Sequence, residues 1–269
     1  MNSYCLGIVT YKPSTKIIPK LKIALQSDLD VYVYDNSPSK DDFFCELNSY
    51  DNFKSFKDTK NTGLGYAMKQ LCIYANKYGY DGLLYFDQDT NFTIETLQFV
   101  EKFHNTNQDT FIKSGSFFFN SKSSSIEFKK RKLVHNNGTL FNLKKLKQIN
   151  WHDENFFLDC VDYKYCLDCE LSSHSIVEVR NTPGLDHLTD QDNELIPIFG
   201  KKFSLARVYS KDRLYDTLSK SCRIFYIALK NYKFYFAMLI FRFLIIYSLF
   251  QIYSNIYTYI NETLQNKAQ

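Results

Sequence analysis

The chain has 269 residues, 45% of them hydrophobic, with only 9 Gly and 5 Pro, which fits one large domain or one domain with an appendage. An ordinary apolar fraction permits a core, and the scarcity of Gly and Pro excludes collagen-like and low-complexity architectures. The net charge of +4 is uneven: residues 201–269 hold 11 basic and 3 acidic residues, a net +8, and the first 200 residues are mildly acidic.

Taken in order, Tyr4–Tyr11 is an apolar run of the buried-strand kind, closed by Pro13 and Ser14. Ile17, Ile18, Leu21 and Leu25 have helical spacing. Val31–Tyr34 is a second strand, with the turn Asp35-Asn36-Ser37-Pro38 after it. Strand, helix, strand is a βαβ unit and predicts a parallel sheet, whose ligands bind at the carboxyl ends of the strands. Thr10, Tyr11, Asp35 and Asn36 fall there. Asp42–Leu47 reads as a short helix and Phe53–Phe56 as an edge strand. Asn61-Thr62-Gly63-Leu64-Gly65 opens a helix to about Tyr78. Its glycines would let backbone amides approach a ligand, and helix N-termini favour anions, although a tight turn needs the same residues.

The stretch Tyr80–Thr90 organises the rest. An apolar run, Leu83–Phe86, ends in Asp87-Gln88-Asp89. Side chains alternate faces along a strand, so the two carboxylates point the same way and would repel without a cation between them. Hard divalent ions such as Mg²⁺ or Mn²⁺ take such oxygens and keep water and substrate phosphates as other ligands. A solvated strand-to-loop turn is the plain alternative.

Beyond it, Thr93–Phe103 reads as a helix capped by Asn91 or Thr93, Phe111–Phe119 as a strand, and Glu127–Lys132 as a solvated loop rather than a nucleic-acid patch; no nucleic-acid partner is expected. Leu143–Ile149 looks helical. A second acidic cluster follows, with Trp151, Asp153, Glu154, Asp159 and Asp162, then a helix over Tyr163–Leu171 and a strand at Ile176–Val179. Trp151, Asp153 and Glu154 are the candidates to meet an acceptor. Seven cysteines with no secretory signal over Met1–Thr10 read as reduced thiols. Cys166 and Cys169 have a zinc-like spacing but read better as buried thiols. His104 and His135 have no companions in sequence. No phosphate-loop motif is present.

In this order the motifs resemble family 2 glycosyltransferases with the GT-A fold, in particular the rhamnosyltransferase-like branch: a Thr-Tyr strand end, an Asp-Asn-Ser turn, Asn-x-Gly-x-Gly, Asp-Gln-Asp, and Asp-Glu-x-x-Phe-x-Asp-x-Val-Asp-Tyr, spanning roughly Cys5 to His187. The resemblance implies an α/β fold with a mixed, mostly parallel, Rossmann-like sheet flanked by helices. It places nucleotide binding at Thr10, Tyr11, Asp35, Asn61, Gly63 and Asp87. It implies metal binding at Asp87, Asp89 and His187, with Mg²⁺ or Mn²⁺ as cofactor. It puts the catalytic base at Asp162; Asp159, three residues earlier and on the same face if the two lie on a helical turn, is the rival. It implies a nucleotide-sugar donor, dTDP-rhamnose for this branch, and a lipid-linked or glycan acceptor in bacterial surface polysaccharide (O-antigen or capsule) synthesis. The chain departs from the pattern at Lys69, Lys164 and Asp168, and a nucleotide-sugar-binding or scaffold protein without turnover is the alternative. The chemistry suits the residues: a metal neutralises the diphosphate leaving group, and a base opposite it takes the acceptor proton, with inversion.

The expected catalytic domain is residues 1–200, followed by a helical tail over 201–269. Phe234–Phe250 looks too short and interrupted to span a membrane. Upstream, Arg207, Lys211, Arg213, Lys220, Arg223, Lys230 and Lys233 alternate with Tyr and Phe. That mixture points to an interfacial helix, with residues 203–250 on an anionic membrane surface and the protein peripheral at the inner face of the cytoplasmic membrane. A helical hairpin packed on the domain is the alternative.

Overall fold

The computed structural model describes residues 3–39, 42–187, 195–198, 201–203 and 205–268. The chain divides into two compact units, Met1–Leu188 and Thr189–Gln269.

In the first unit, strand β1 (Tyr4–Thr10), helix α1 (Ile17–Leu25) and strand β2 (Val31–Asp35) form the expected parallel crossover. A short 3-10 turn at Cys45–Leu47 leads to β3 (Phe53–Lys57), at the sheet edge. Helix α2 (Leu64–Lys77) returns to β4 (Gly82–Asp87), which pairs parallel with β1. Then follow β5 (Thr90–Asn91), α3 (Ile94–Thr106), α4 (Gln108–Lys113), β6 (Ser114–Phe119), β7 (Phe128–Arg131), β8 (Thr139–Asn142), α5 (Leu143–Gln148), α6 (Val161–Leu171), β9 (Ser175–Val179) and β10 (Asp186–His187). The eight-stranded sheet runs β3-β2-β1-β4-β8-β6-β9-β7, with β8 antiparallel to both its neighbours and β7 antiparallel to β9.

Register explains the core. Leu6 and Ile8 face Val31 and Val33 on one side and Leu84 and Phe86 on the other, so six apolar side chains fall on one sheet face. They share a buried cluster with Leu21 and Leu25 of α1 and Leu97 and Val100 of α3. Helix α2 covers β1 and β2 with its own buried stripe, Ala67, Met68, Leu71, Cys72 and Ala75. Thr93 caps α3 in a box with Thr96.

Two expectations change. Residues 111–113 are the end of α4 rather than the start of a strand, so β6 begins at Ser114. The charged stretch after Glu127 is an edge strand rather than a loop. The reason is Glu178 of β9, which is 3% exposed. Arg131 Nε lies 2.7 Å from its Oε2 and Arg180 Nε 3.1 Å, so β7 brings a counter-charge to a buried carboxylate. Edge strands tolerate such charge and gain protection from it. Cys160, Cys166 and Cys169 are buried thiols outside any disulfide.

In the second unit, β11 (Pro197–Ile198) pairs with β12 (Lys201–Lys202), and α7 (Lys211–Lys230) precedes α8 (Phe234–Ala268). The two helices pack through Ile224 and Ala228 against Ala237 and Ile240, with Phe225 and Phe241 rings 5.8 Å apart. Gln251 Nε2 donates to the carbonyls of Leu205 and Arg207 at 3.2 and 3.1 Å. The expectation of a short apolar segment is corrected here. Helix α8 continues past Phe250, and Phe234–Asn261, 28 residues, is long and apolar enough by length and composition to cross a membrane. Ile245, Leu249, Ile252 and Ile256 of α8 are exposed.

Candidate active site

The sheet brings the first candidates together through strand register. Thr10 pairs with Asp35 and Val9 with Asp87, so the carboxyl ends of β2, β1 and β4 lie side by side. Asp35 is buried. Its Oδ1 accepts from Thr10 Oγ1 at 3.2 Å and from the Ser37 hydroxyl and amide at 2.5 and 3.1 Å, and its Oδ2 pairs with Lys57 Nζ at 2.9 Å. Both oxygens are therefore committed to joining the ends of β1, β2 and β3. Tyr11 is exposed, and its amide donates to Gln88 Oε1 at 2.9 Å and its carbonyl accepts from Gln88 Nε2 at 3.3 Å. Gln88 thus ties the end of β1 to the Asp-Gln-Asp turn, a role that the two flanking acids obscured in the sequence.

The strand ends at Asp87, and Gln88 and Asp89 form a turn. Alternation along a strand therefore does not align the two carboxylates. The turn is held by Asn137 Oδ1, which accepts from the Asp87 amide at 3.1 Å and from Thr90 Oγ1 at 2.7 Å. Both acids stand near the buried Tyr85 hydroxyl. It donates to Asp87 Oδ1 at 3.0 Å, and burial, followed by Asp87 and Asp89, pushes its pKa well above the usual value. Among the described residues no group of three or more His, Cys, Asp or Glu could hold a metal. Two hard carboxylates with water and phosphate still match Mg²⁺ or Mn²⁺, which rarely has an all-protein cage. The His187 backbone pairs with Thr90 next to this turn. Its side chain is outside what the structure describes.

The glycine segment behaves differently from the expectation of an open anion site. Asn61 Oδ1 accepts from the Gly63 amide at 3.0 Å. The amides of Leu64 and Gly65 donate to the carbonyls of Phe157 and Phe156 at 2.5 and 3.1 Å. A Cβ on Gly65 would stand 2.5 Å from the Asp153 carbonyl, and Gly63 has φ +87°. The glycines thus let the 153–157 loop seat on the start of α2, and the first amides of that helix serve the chain itself.

The loop leads to the candidate base. Cys160, at φ +65°, starts α6, which puts Asp162 in its first turn and Asp159 in the bend before it. Asp159 is thus outside the helical turn that would have set the two acids on one face. Asp162 Oδ1 accepts from the Tyr163 amide at 2.8 Å, and Oδ2 lies 3.2 Å from His135 Nδ1. The hydrogen bond to Asp162 raises the His135 pKa above 6.5 against partial desolvation of the exposed ring; Asp87 adds to the rise and Lys122 opposes it. His135, read from sequence as a residue without companions, is therefore the partner of the candidate base. The only signal in the sequence was the Asn136-Asn137-Gly138 turn beside it, which returns the chain to β8.

The acceptor candidates and the unusual residues share a second place. Trp151, Asp153, Glu154, Lys69, Lys164 and Asp168 line a cleft of about 260 Å³. Lys69 Nζ pairs with Glu154 at 2.7 Å, and Lys164 Nζ with Asp168 Oδ2 at 2.6 Å and Asp153 Oδ2 at 3.7 Å. Each departure from the family pattern thus has a counter-charge in the same cleft. Helix α5 ends in a Schellman-type turn, with the Asn150 amide on Lys147 and the Trp151 amide on Leu146, at 3.1 and 2.8 Å. Asn150 and Trp151 both have positive φ, +62° and +66°, a costly backbone for a bulky residue.

No protein-family model matches this sequence, and no curated protein matches it. Solved structures do match. S. aureus TarS aligns at 16% identity with a TM-score of 0.53, over 71% of this chain and 37% of that one. Its 1–349 fragment gives the same identity and TM-score over 61% of that chain, and the fragment in complex with UDP gives a TM-score of 0.52. The fold is GT-A-like. This chain corresponds to less than two thirds of those structures, and likeness at this identity concerns the fold.

Proposed function

We propose that the protein is a metal-dependent inverting glycosyltransferase that moves a hexose from a nucleotide-activated donor to a hydroxyl acceptor. The observation that carries this is the meeting of Thr10, Asp35 and Asp87 at neighbouring strand ends, with Asp89 in the turn after β4 and Asp162 electrostatically linked to the same place through His135. The UDP complex of TarS supports a nucleotide donor on this fold. The motif branch favours dTDP-rhamnose as donor and a lipid-linked or polysaccharide acceptor in bacterial surface polysaccharide synthesis.

Asp87 and Asp89 would hold Mg²⁺ or Mn²⁺, with His187 as a further ligand, and a bound ion would neutralise charge on the departing diphosphate. Thr10, Tyr11 and Asn61 flank the nucleotide, and the Tyr11 ring is exposed for stacking. Asp35 positions the strand ends, with Lys57 as its counter-ion. Trp151, Asp153 and Glu154 orient the acceptor in the 150–155 cleft. Asp162 belongs to the proton-accepting group, ahead of Asp159, because it sits in the first turn of α6 with a defined partner. The basic, aromatic tail would hold the protein on an anionic membrane surface at the inner face of the cytoplasmic membrane, where lipid-linked acceptors reside.

The test is release of nucleoside diphosphate from a panel of UDP- and dTDP-hexoses with Mn²⁺ and with lipid-linked or glycan acceptors. Donor-dependent, metal-dependent release is expected. Donor binding with no release from any combination would favour the second reading, a nucleotide-sugar-binding protein, for which the closed Lys164–Asp168 pair is the supporting observation.

A further inference from the structure

Asp162 is a poorly placed base on its own. One oxygen accepts the Tyr163 amide and the other faces His135, so both are engaged before an acceptor arrives. Imidazole is suited to taking a proton at neutral pH. His135 is well placed. Its carbonyl accepts from Thr139 Oγ1 at 2.8 Å, and the adjacent Val134 amide donates to Cys166 Sγ at 3.4 Å, which fastens this loop to β8 and to α6. The ring itself is open: its side chain is 72% exposed, against 21% for Asp162. Nδ1 faces the carboxylate, and Nε2 has no protein partner among the described residues.

We propose that His135 Nε2 takes the proton of the acceptor hydroxyl, and that Asp162 acts through it by accepting from Nδ1–H. This rests on the glycosyl-transfer reading and assigns within it a proton acceptor that the sequence motifs do not mark. A carboxylate on Nδ1 fixes the tautomer with Nε2 unprotonated and stabilises the imidazolium that forms. In the step, the acceptor O–H proton passes to Nε2 as the oxygen pair forms the bond to the anomeric carbon. The bond from that carbon to the diphosphate oxygen breaks, and its electron pair leaves with the nucleoside diphosphate. The imidazolium–carboxylate pair then loses its proton to water through the exposed ring. The charged groups around His135 are Asp162, Asp87 and Lys122, two of them favouring the imidazolium. The ring must be neutral to act, so turnover falls as pH drops through the His135 pKa.

Two measurements on the full-length protein test this. The first compares turnover and UDP binding with Mn²⁺ for the parent, His135→Gln and Asp162→Asn. Both variants are expected to lose on the order of 10²–10⁴ in turnover, with the double variant little worse than either, since groups acting as a unit are not additive. UDP affinity should stay within about twofold, which also shows that the variants fold. The second follows the His135 imidazole by NMR, identified among five histidines by its loss in His135→Gln. It should titrate above 6.5 in the parent and lower in Asp162→Asn, and the acid limb of residual turnover should move with it. Parent-like turnover in His135→Gln with an inactive Asp162→Asn would overturn the proposal and make the carboxylate the base. So would a titration that Asp162→Asn leaves unmoved. A parent inert with every donor and acceptor would overturn the transferase reading itself, and with it the role of His135 in it.

Discussion

His152 gives the protein a specific weakness to acid. The residue is 2% exposed, its ring edge-on to Phe141 at 4.9 Å and tilted against Tyr165 at 5.5 Å, and neither ring nitrogen has a hydrogen-bond partner among the described residues. Burial lowers its pKa from 6.5 to about 3. The folded protein therefore keeps this imidazole neutral where the unfolded chain protonates it. Between those two values the unfolded state binds more protons, so stability rises with pH and is lost on acidification. Linkage gives a loss of about 1 kcal/mol near pH 5.5 and about 3 kcal/mol near pH 4.5 from this group alone.

The perturbation is His152→Leu, close in volume and unable to titrate. The assay is urea unfolding of parent and variant between about pH 7.5 and about pH 4.5, followed by the single Trp, Trp151, next in sequence. His104 and His174 are also shifted down by burial and add a slope of the same sign, but they are present in both proteins and cancel in the difference. The parent should lose about 3 kcal/mol more than the variant over this range. Parallel pH dependence, within about 0.5 kcal/mol, would refute the reasoning and mean that the ring is hydrated or paired.

Asp89→Ala should abolish Mn²⁺-dependent binding of UDP with the thermal midpoint unchanged; calorimetric affinity equal to the parent's in Mn²⁺ would remove Asp89 from the metal site. Gly65→Ala should cost about 1–3 kcal/mol, because its Cβ would stand 2.5 Å from the Asp153 carbonyl, and thermal denaturation reads this directly. Lys164→Met should destabilise the protein, because Asp168 and Asp153 would lose their cation. Burial already raises the Asp168 pKa against the pull of Lys164, so that loss should raise it further, which a carboxyl NMR titration follows. Residues from about Phe203 onward should float with anionic but not neutral vesicles and be partly released by salt, each Lys or Arg near the surface contributing about 1 kcal/mol. Equal flotation of full-length protein and a truncation at Lys202 would sink that idea. Flotation that resists salt and yields only to detergent would show α8 crossing the bilayer instead.

What the sequence determined by itself is what local pattern encodes. Apolar runs and helical spacing placed β1, α1, β2, α2, β4 and α3 close to their observed bounds, because side-chain periodicity is a property of neighbours along the chain. Order and spacing also marked Asp87, Asp89 and Asp162 as a set. Tertiary structure decided the rest. Nothing near His135 in sequence announces Asp162, 27 residues on, and only the seating of β8 beside β4 and the packing of Cys166 under Val134 bring them within a hydrogen bond. The purpose of Gly63 and Gly65 was equally hidden, because the carbonyls of Phe156 and Phe157 that need their space arrive from more than 90 residues away. The charged strand β7 is the same lesson in electrostatics. Its lysines and arginine read as a solvated loop until the buried carboxylate of Glu178 stands beside them, since the cost of burying a charge depends on what surrounds it in space and not on what precedes it in the chain.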